Sequence, residues 1–174
     1  EVADYTWNYK LGGTVAKSTS YFIYDRWVDA NTDSVRDALE VTTVRASAAF
    51  SDDAMTESDS YKGQLIAPDA ALLQSKTFYA NLSKGDEVAD YTWNYKLGGT
   101  VAKSTSYFIY DRWVDANTDS VRDALEVTTV RASAAFSDDA MTESDSYKGQ
   151  LIAPDAALLQ SKTFYANLSK GDEV

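Results

Sequence analysis

The chain is one 86-residue sequence written twice. Glu1–Asp86 recurs without a change as Glu87–Asp172, and Glu173-Val174 begins a further copy. A fixed period of this kind indicates an array. At 86 residues the period exceeds that of the usual solenoid repeats, and a unit of this size is large enough to own a core. No Gly/Ser-rich linker separates the copies, so neighbouring units are expected to be closely coupled. The trailing Glu-Val is what a piece cut from a longer array would carry; exact identity also allows an engineered tandem.

Charge narrows the function classes. The net charge is −11 and there is no His. Phosphate binding needs clustered Lys and Arg, so nucleic acid is an unsuitable partner, as is an anionic membrane surface. Such acidity suits a salt-tolerant or calcium-rich exterior. There is no Cys, hence no disulfide framework and no redox compartment fixed by one. No apolar run approaches the roughly 20 residues of a membrane-spanning helix, and no stretch reads as a signal peptide. Membrane insertion is not expected.

The pattern along each unit is that of strands. Ala3 to Leu11 alternates, with Ala3, Tyr5, Trp7, Tyr9 and Leu11 on one face and Asp4, Thr6, Asn8 and Lys10 on the other. Gly12-Gly13 is a turn. Thr14 to Val28 is rich in β-branched and aromatic residues and is long enough for one bent strand or two. Leu39 to Phe50 is a further strand region with a bulge expected near Thr42-Thr43. Ser51 to Ser60 is polar and acidic and reads as a loop. Tyr61 to Ala67 reads as a short strand, and Pro68-Asp69 punctuates it. Ala70 to Leu82 reads as a strand opening with a short helical turn at Asp69 to Leu73. Helical periodicity is weak throughout. Many short strands with turn signals between them predict an all-β fold of antiparallel sandwiches. Tyr5, Trp7, Phe22, Trp27, Phe50 and Phe78 are candidates for its core.

The stretch VDANTDSVRDALEV, Val28 to Val41, recurs at Val114 to Val127. Counting Asp29 as position 1, oxygen-bearing side chains fall at positions 1 (Asp29), 3 (Asn31), 5 (Asp33), 9 (Asp37) and 12 (Glu40). Position 7, Val35, lends a backbone carbonyl. The second copy offers Asp115, Asn117, Asp119, Val121, Asp123 and Glu126. A hard cation takes six to eight oxygens at about 2.3–2.6 Å, and this is the ligand spacing of a twelve-residue calcium loop. The stretch resembles the DxDxDG-type loops of EF-hands, dockerins and thrombospondin type-3 repeats. It departs from them at position 6, where Ser34 replaces the usual Gly. A left-handed backbone at Ser costs roughly 1 kcal/mol. The competing reading is a solvated acidic loop between two strands.

The run KTFYANLSKGDEVADYTWNYKL, Lys76 to Leu97, resembles the first two strands of the tandem Ig-like repeats of bacterial and archaeal surface proteins. The segment joining them contains Ser83, Gly85, Asp86, Val88 and Tyr91. That resemblance implies tandem antiparallel Ig-like β-sandwich domains. It also implies a phase: 1–68 as the later part of one repeat, 69–154 as a complete repeat, and 155–174 as the first strands of the next. In that phase an incomplete sandwich exposes an unpaired edge. A strand such as Ser161 to Leu168 of a neighbour can add to it.

Without His or Cys, the common acid–base, nucleophile-activating and zinc arrangements are absent, and no Gly-rich phosphate loop occurs. The chain is not expected to be an enzyme. Asn81-Leu82-Ser83 and Asn167-Leu168-Ser169 are glycosylation sequons, making Asn81 and Asn167 candidate glycan acceptors. Two function classes remain. One is an extracellular, cell-surface structural repeat of a stalk, fibre or adhesin shaft. It would be stiffened by calcium and partnered end to end by neighbouring repeats or by copies of itself. The alternative is a tandem carbohydrate-binding module stacking sugars on Trp7, Tyr9, Trp27 and Tyr79.

Overall fold

The computed structural model describes residues 2–34, 40–80, 83–116, 118 and 126–166. The strands of the first unit are β1 (Tyr5–Tyr9), β2 (Ala16–Trp27), β3 (Val41–Arg45), β4 (Ala54–Lys62) and β5 (Leu73–Ala80). Those of the second are β6 (Val88–Tyr95), β7 (Ala102–Trp113), β8 (Val127–Arg131), β9 (Ala140–Lys148) and β10 (Leu159–Phe164). Short 3-10 turns at Ala70–Leu72 and Ala156–Leu158 precede β5 and β10. The Asp69 side chain caps the first, accepting from Ala71 N at 3.0 Å. A helical turn expected at Asp69 to Leu73 is therefore present, one residue shorter at each end.

All ten strands belong to one antiparallel sheet, ordered β1-β2-β4-β5-β6-β7-β9-β10. The long β2 carries β1 beside its first half and β3 beside its second, and β7 carries β6 and β8 in the same way. The fold is all-β and antiparallel, as the alternation predicts. Separate tandem sandwiches with a break in the sheet between them are not shown. Instead β5 is paired on both sides. It meets β4 of its own unit, with Asp59 opposite Lys76, and β6 of the next, with Lys76 opposite Trp93 and Phe78 opposite Tyr91. The ladder thus crosses both 68/69 and 86/87 without interruption.

Two segments differ from their sequence readings. Among the described residues, the region Leu39 to Phe50 supplies only the five-residue β3, which pairs with β2 without the bulge expected near Thr42-Thr43. Ser51 to Ser60 was expected as a loop and Tyr61 to Ala67 as a strand, but the strand is Ala54–Lys62 and the loop follows it. Glu57, Asp59 and Tyr61 alternate along β4 and so share one face. The two acids are tolerated there because Lys76 and the Tyr61 hydroxyl meet them. The loop then turns at Gly63 (φ 85°), a left-handed conformation that suits glycine. It folds back onto the sheet. Thr19 Oγ1 donates to Gly63 O at 2.8 Å, Leu65 N donates to Thr19 Oγ1 at 2.9 Å, and Trp7 Nε1 donates to Leu65 O at 2.9 Å. Thr19 is fully buried with its hydroxyl satisfied on both sides. The second unit repeats this clasp through Thr105, Gly149, Leu151 and Trp93.

Tyrosines form much of the core. One buried cluster joins Tyr21, Tyr61, Leu73, Tyr95 and Ala102, and so runs from β2 across the junction to β7. A second joins Val88, Tyr110, Ala132 and Ala135. Phe50, a candidate core residue by sequence, lies outside it under the Arg26 guanidinium, 4.1 Å from the ring centroid. Tyr5, on the outer strand β1, is also exposed, and the other sequence candidates, Trp7, Phe22, Trp27 and Phe78, are half-buried.

Candidate functional site

The acidic loop leaves the end of β2 and returns into β3. Val28 N donates to Glu40 O at 3.1 Å, closing the loop at its neck. Glu40 is buried, and its carboxylate organises the backbone. Oε1 accepts from Ala30 N at 2.9 Å and from Asn31 N at 3.1 Å; Oε2 accepts from Trp27 Nε1 at 3.0 Å. A carboxylate offers about four lone-pair sites, so these donors leave little of Glu40 for a cation. Its position suits one bond to a metal better than the two-oxygen grip that the spacing suggests.

The neighbouring side chains also wind the loop. Asn31 Oδ1 accepts from Asp33 N at 2.9 Å, and Asp29 Oδ2 accepts from Ser34 N at 3.0 Å. Asp29 Oδ1 is buried with no hydrogen-bond partner. One oxygen each of Asp29, Asp33 and Glu40 lie within 4.8 Å of one another. The orphaned Asp29 oxygen and this convergence fit a hard, oxygen-seeking ion such as calcium. Backbone winding agrees. Ser34, at position 6, has φ 60°, and Thr32, at position 4, has φ 62°. The loop therefore takes the left-handed turn that glycine normally supplies, at residues that bear the steric cost. Val35 and Asp37 lie outside the described residues.

In the second unit Glu126 repeats the role of Glu40. It accepts from Ala116 N at 3.0 Å and from Trp113 Nε1 at 3.1 Å, and its own carbonyl accepts from Val114 N at 3.1 Å. Asp115 is described at the start of that loop, and Thr118 again has a left-handed φ of 61°. Asn117, Asp119, Val121 and Asp123 lie outside the described residues, as do the sequon residues Asn81 and Asn167.

Of the aromatics considered for sugar stacking, Trp7 and Trp27 are half-buried, with both indole N–H groups on internal acceptors. The Tyr79 hydroxyl lies 3.1 Å from Ser58 Oγ. Tyr9 is exposed on the outer strand β1.

A second polar cluster was not legible as a site in the sequence. Lys76 Nζ on β5 donates to Glu57 Oε1 at 2.5 Å and Asp59 Oδ2 at 2.7 Å, both on β4. Tyr61 OH donates to the same Asp59 oxygen at 3.1 Å. Burial pulls the Lys76 amine down, but its bonds to Asp59 and Glu57 outweigh this and hold it above the ordinary lysine range. Burial, with Asp59 nearby, pushes the Glu57 carboxyl up. Burial and then Asp59 raise Tyr61. The E-x-D-x-Y alternation was the available signal, since it places all three on one strand face.

No family model matches the chain, and no curated protein or solved structure is significantly similar to it.

Proposed function

We propose that the 86-residue unit is a structural repeat of an extracellular stalk, fibre or adhesin shaft, serving the role that tandem Ig-like repeats serve in surface proteins. The observation that carries this reading is the double pairing of β5. One strand is hydrogen-bonded to its own unit and to the next, so consecutive units share a ladder. An array built this way transmits load through backbone hydrogen bonds and side-chain packing. In this reading the chain has no catalytic task. Calcium held by Asp29, Asn31, Asp33 and Glu40, with the Val35 carbonyl and Asp37, stiffens the excursion at the end of β2. Glycans at Asn81 and Asn167 and an acidic surface suit an exterior location. The carbohydrate-module alternative has less behind it, because the rings of Trp7 and Trp27 are half-buried and offer no fully open stacking face.

Concatemers of two, three and four units test the reading by small-angle scattering. The maximum dimension should rise by a constant increment per unit, in calcium and in chelator alike. Collapse into compact particles, or a flexible string of beads, contradicts a shaft. Chelator should lower the melting temperature, because a ligand that binds only the folded state stabilises it by mass action. An unchanged melt with no metal found by elemental analysis removes calcium from the scheme.

A further inference from the structure

We propose that the two outer strands are a matched pair of mating edges, so that β10 of one molecule adds to β1 of a second copy, head to tail, in the register of the internal junction. This deepens the shaft reading and rests on it. β10 has the sequence of β5 and β1 has that of β6, and β5 and β6 are paired within the chain. The same residues therefore appear once covered and once open. Leu73 is 8 % exposed and its counterpart Leu159 39 %; Tyr95 is 9 % exposed and Tyr9 45 %. Phe78 is half-buried, while Phe164 is 69 % exposed. Sequence is constant in each comparison, so the added exposure comes from the missing neighbour.

Backbone direction agrees. Phe22 N donates to Asp4 O, so Asp4 and Thr6 face β2, and alternation turns the N–H and C=O of Tyr5 and Trp7 outward. Tyr165 N donates to Thr142 O, so by the same rule the groups of Lys162 and Phe164 face outward from β10. The internal junction pairs Lys76 with Trp93, Thr77 with Thr92 and Phe78 with Tyr91. Moved by one repeat, it pairs Lys162 with Trp7, Thr163 with Thr6 and Phe164 with Tyr5. These outward groups meet as hydrogen-bonded pairs.

Both edges already hold the side-chain arrangement that the junction uses. At the junction Phe78 stacks on Tyr91, with centroids 4.7 Å apart and planes 24° apart, and meets Trp93 edge-on at 4.6 Å. The receiving pair is the same when open as when covered: Tyr5–Trp7 centroids are 5.5 Å apart at 51°, and Tyr91–Trp93 centroids 5.8 Å apart at 54°. On the donating strand Lys162 is already held by Glu143 and Asp145, as Lys76 is held by Glu57 and Asp59. Little has to reorganise on association, which favours binding. Because the two edges differ, the contact is head to tail and leaves each molecule a free edge of either kind, so it can propagate into a filament.

Thr77 Oγ1 and Thr92 Oγ1 lie 2.9 Å apart across the internal junction, and the chain has no cysteine. A mixture of Thr6→Cys and Thr163→Cys chains should therefore oxidise to a dimer linked between positions 6 and 163. Thr77→Cys/Thr92→Cys provides the intramolecular control for bridge geometry. Thr6→Asp/Thr163→Asp, both at exposed positions, should weaken self-association in sedimentation about tenfold by placing like charges opposite each other. Thr6→Lys/Thr163→Asp should restore it. The proposal is overturned if the unmodified chain sediments as a monomer wherever it is soluble. It is equally overturned if only 6–6 or 163–163 links form, or if the charge variants associate alike. Should concatemers lengthen regularly while this chain stays monomeric, mating fails and the shaft stands; should concatemers collapse, the shaft itself fails.

Discussion

Replacing Lys76 by Met tests how the junction between units is held. The ammonium is the shared counter-ion of two carboxylates, with side-chain exposures of 26 % for Lys76, 18 % for Glu57 and 7 % for Asp59. Met fills most of the same volume but leaves both acids facing an apolar chain, with Tyr61 as the remaining donor to Asp59. Asp59 Oδ1 is already buried without a partner, so the site has no spare donor to offer. Removing one member of a fully buried pair costs about 3–5 kcal/mol. Solvent still reaches Lys76 and Glu57, so we expect about 2–3 kcal/mol at neutral pH. Urea unfolding followed by tryptophan fluorescence measures it. Lys162→Met is the natural control: the chemistry is the same, but Lys162 lies on an open edge, so the loss should be clearly smaller. Asp59→Asn in the Lys76→Met background should recover about half of the deficit by removing the charge repulsion. The pH dependence has a definite sign. Burial raises Glu57 in the folded state, so its contribution is present below the ordinary carboxyl range and lost as pH rises through the raised value. Without Lys76 this effect grows, and the deficit should shrink as pH falls from 7 toward about 4. A loss under about 0.5 kcal/mol, the size of an exposed pair, or equal losses at Lys76 and Lys162, would refute the claim that burial at the junction gives this cluster its weight.

The remaining predictions concern the loop and the tyrosines. Ser34→Gly should stabilise the protein by up to about 1 kcal/mol, since φ is already 60° there; a destabilised variant in thermal melts argues against left-handed winding. Glu40→Ala should cost about 2–3 kcal/mol by stranding Ala30 N, Asn31 N and Trp27 Nε1, and Glu40→Gln less than half of that. Equal costs in urea unfolding would mean that acceptor geometry is not what matters. Burial pushes Tyr107 up to about 12 and raises Tyr21, Tyr61, Tyr91 and Tyr95. The native state therefore keeps protons that the unfolded chain releases near pH 10, so this stability is present below about 10 and lost as pH rises toward 12. Tyrosinate absorbance from these residues should appear together with loss of the native fold; ionisation well before unfolding would show that they are not buried.

The sequence alone determined the elements whose signal is local. Alternation marks β1 and β6, the β-branched and aromatic run marks the region of β2 without deciding between one strand and two, and a short helical turn is legible at Asp69 to Leu73. These depend on side chains a few residues apart, as does the alternate spacing of Asp29, Asn31 and Asp33. What depends on distant partners was not legible. Glu57 and Asp59 read as loop residues because Lys76, which makes them tolerable inside a sheet, comes 17 or more positions later. Thr19 reads as an ordinary strand residue until the loop at Gly63 covers it. Glu40 has the spacing of a metal ligand, but only the folded loop shows its oxygens occupied by Trp27 and the backbone. The exact repeat carries the clearest division. Two identical sequences fold into the same strands, because local preference is the same in both. Yet Leu73 is buried and Leu159 exposed, because burial belongs to the neighbour on the other side of the strand, and only the tertiary structure decides which copy has one.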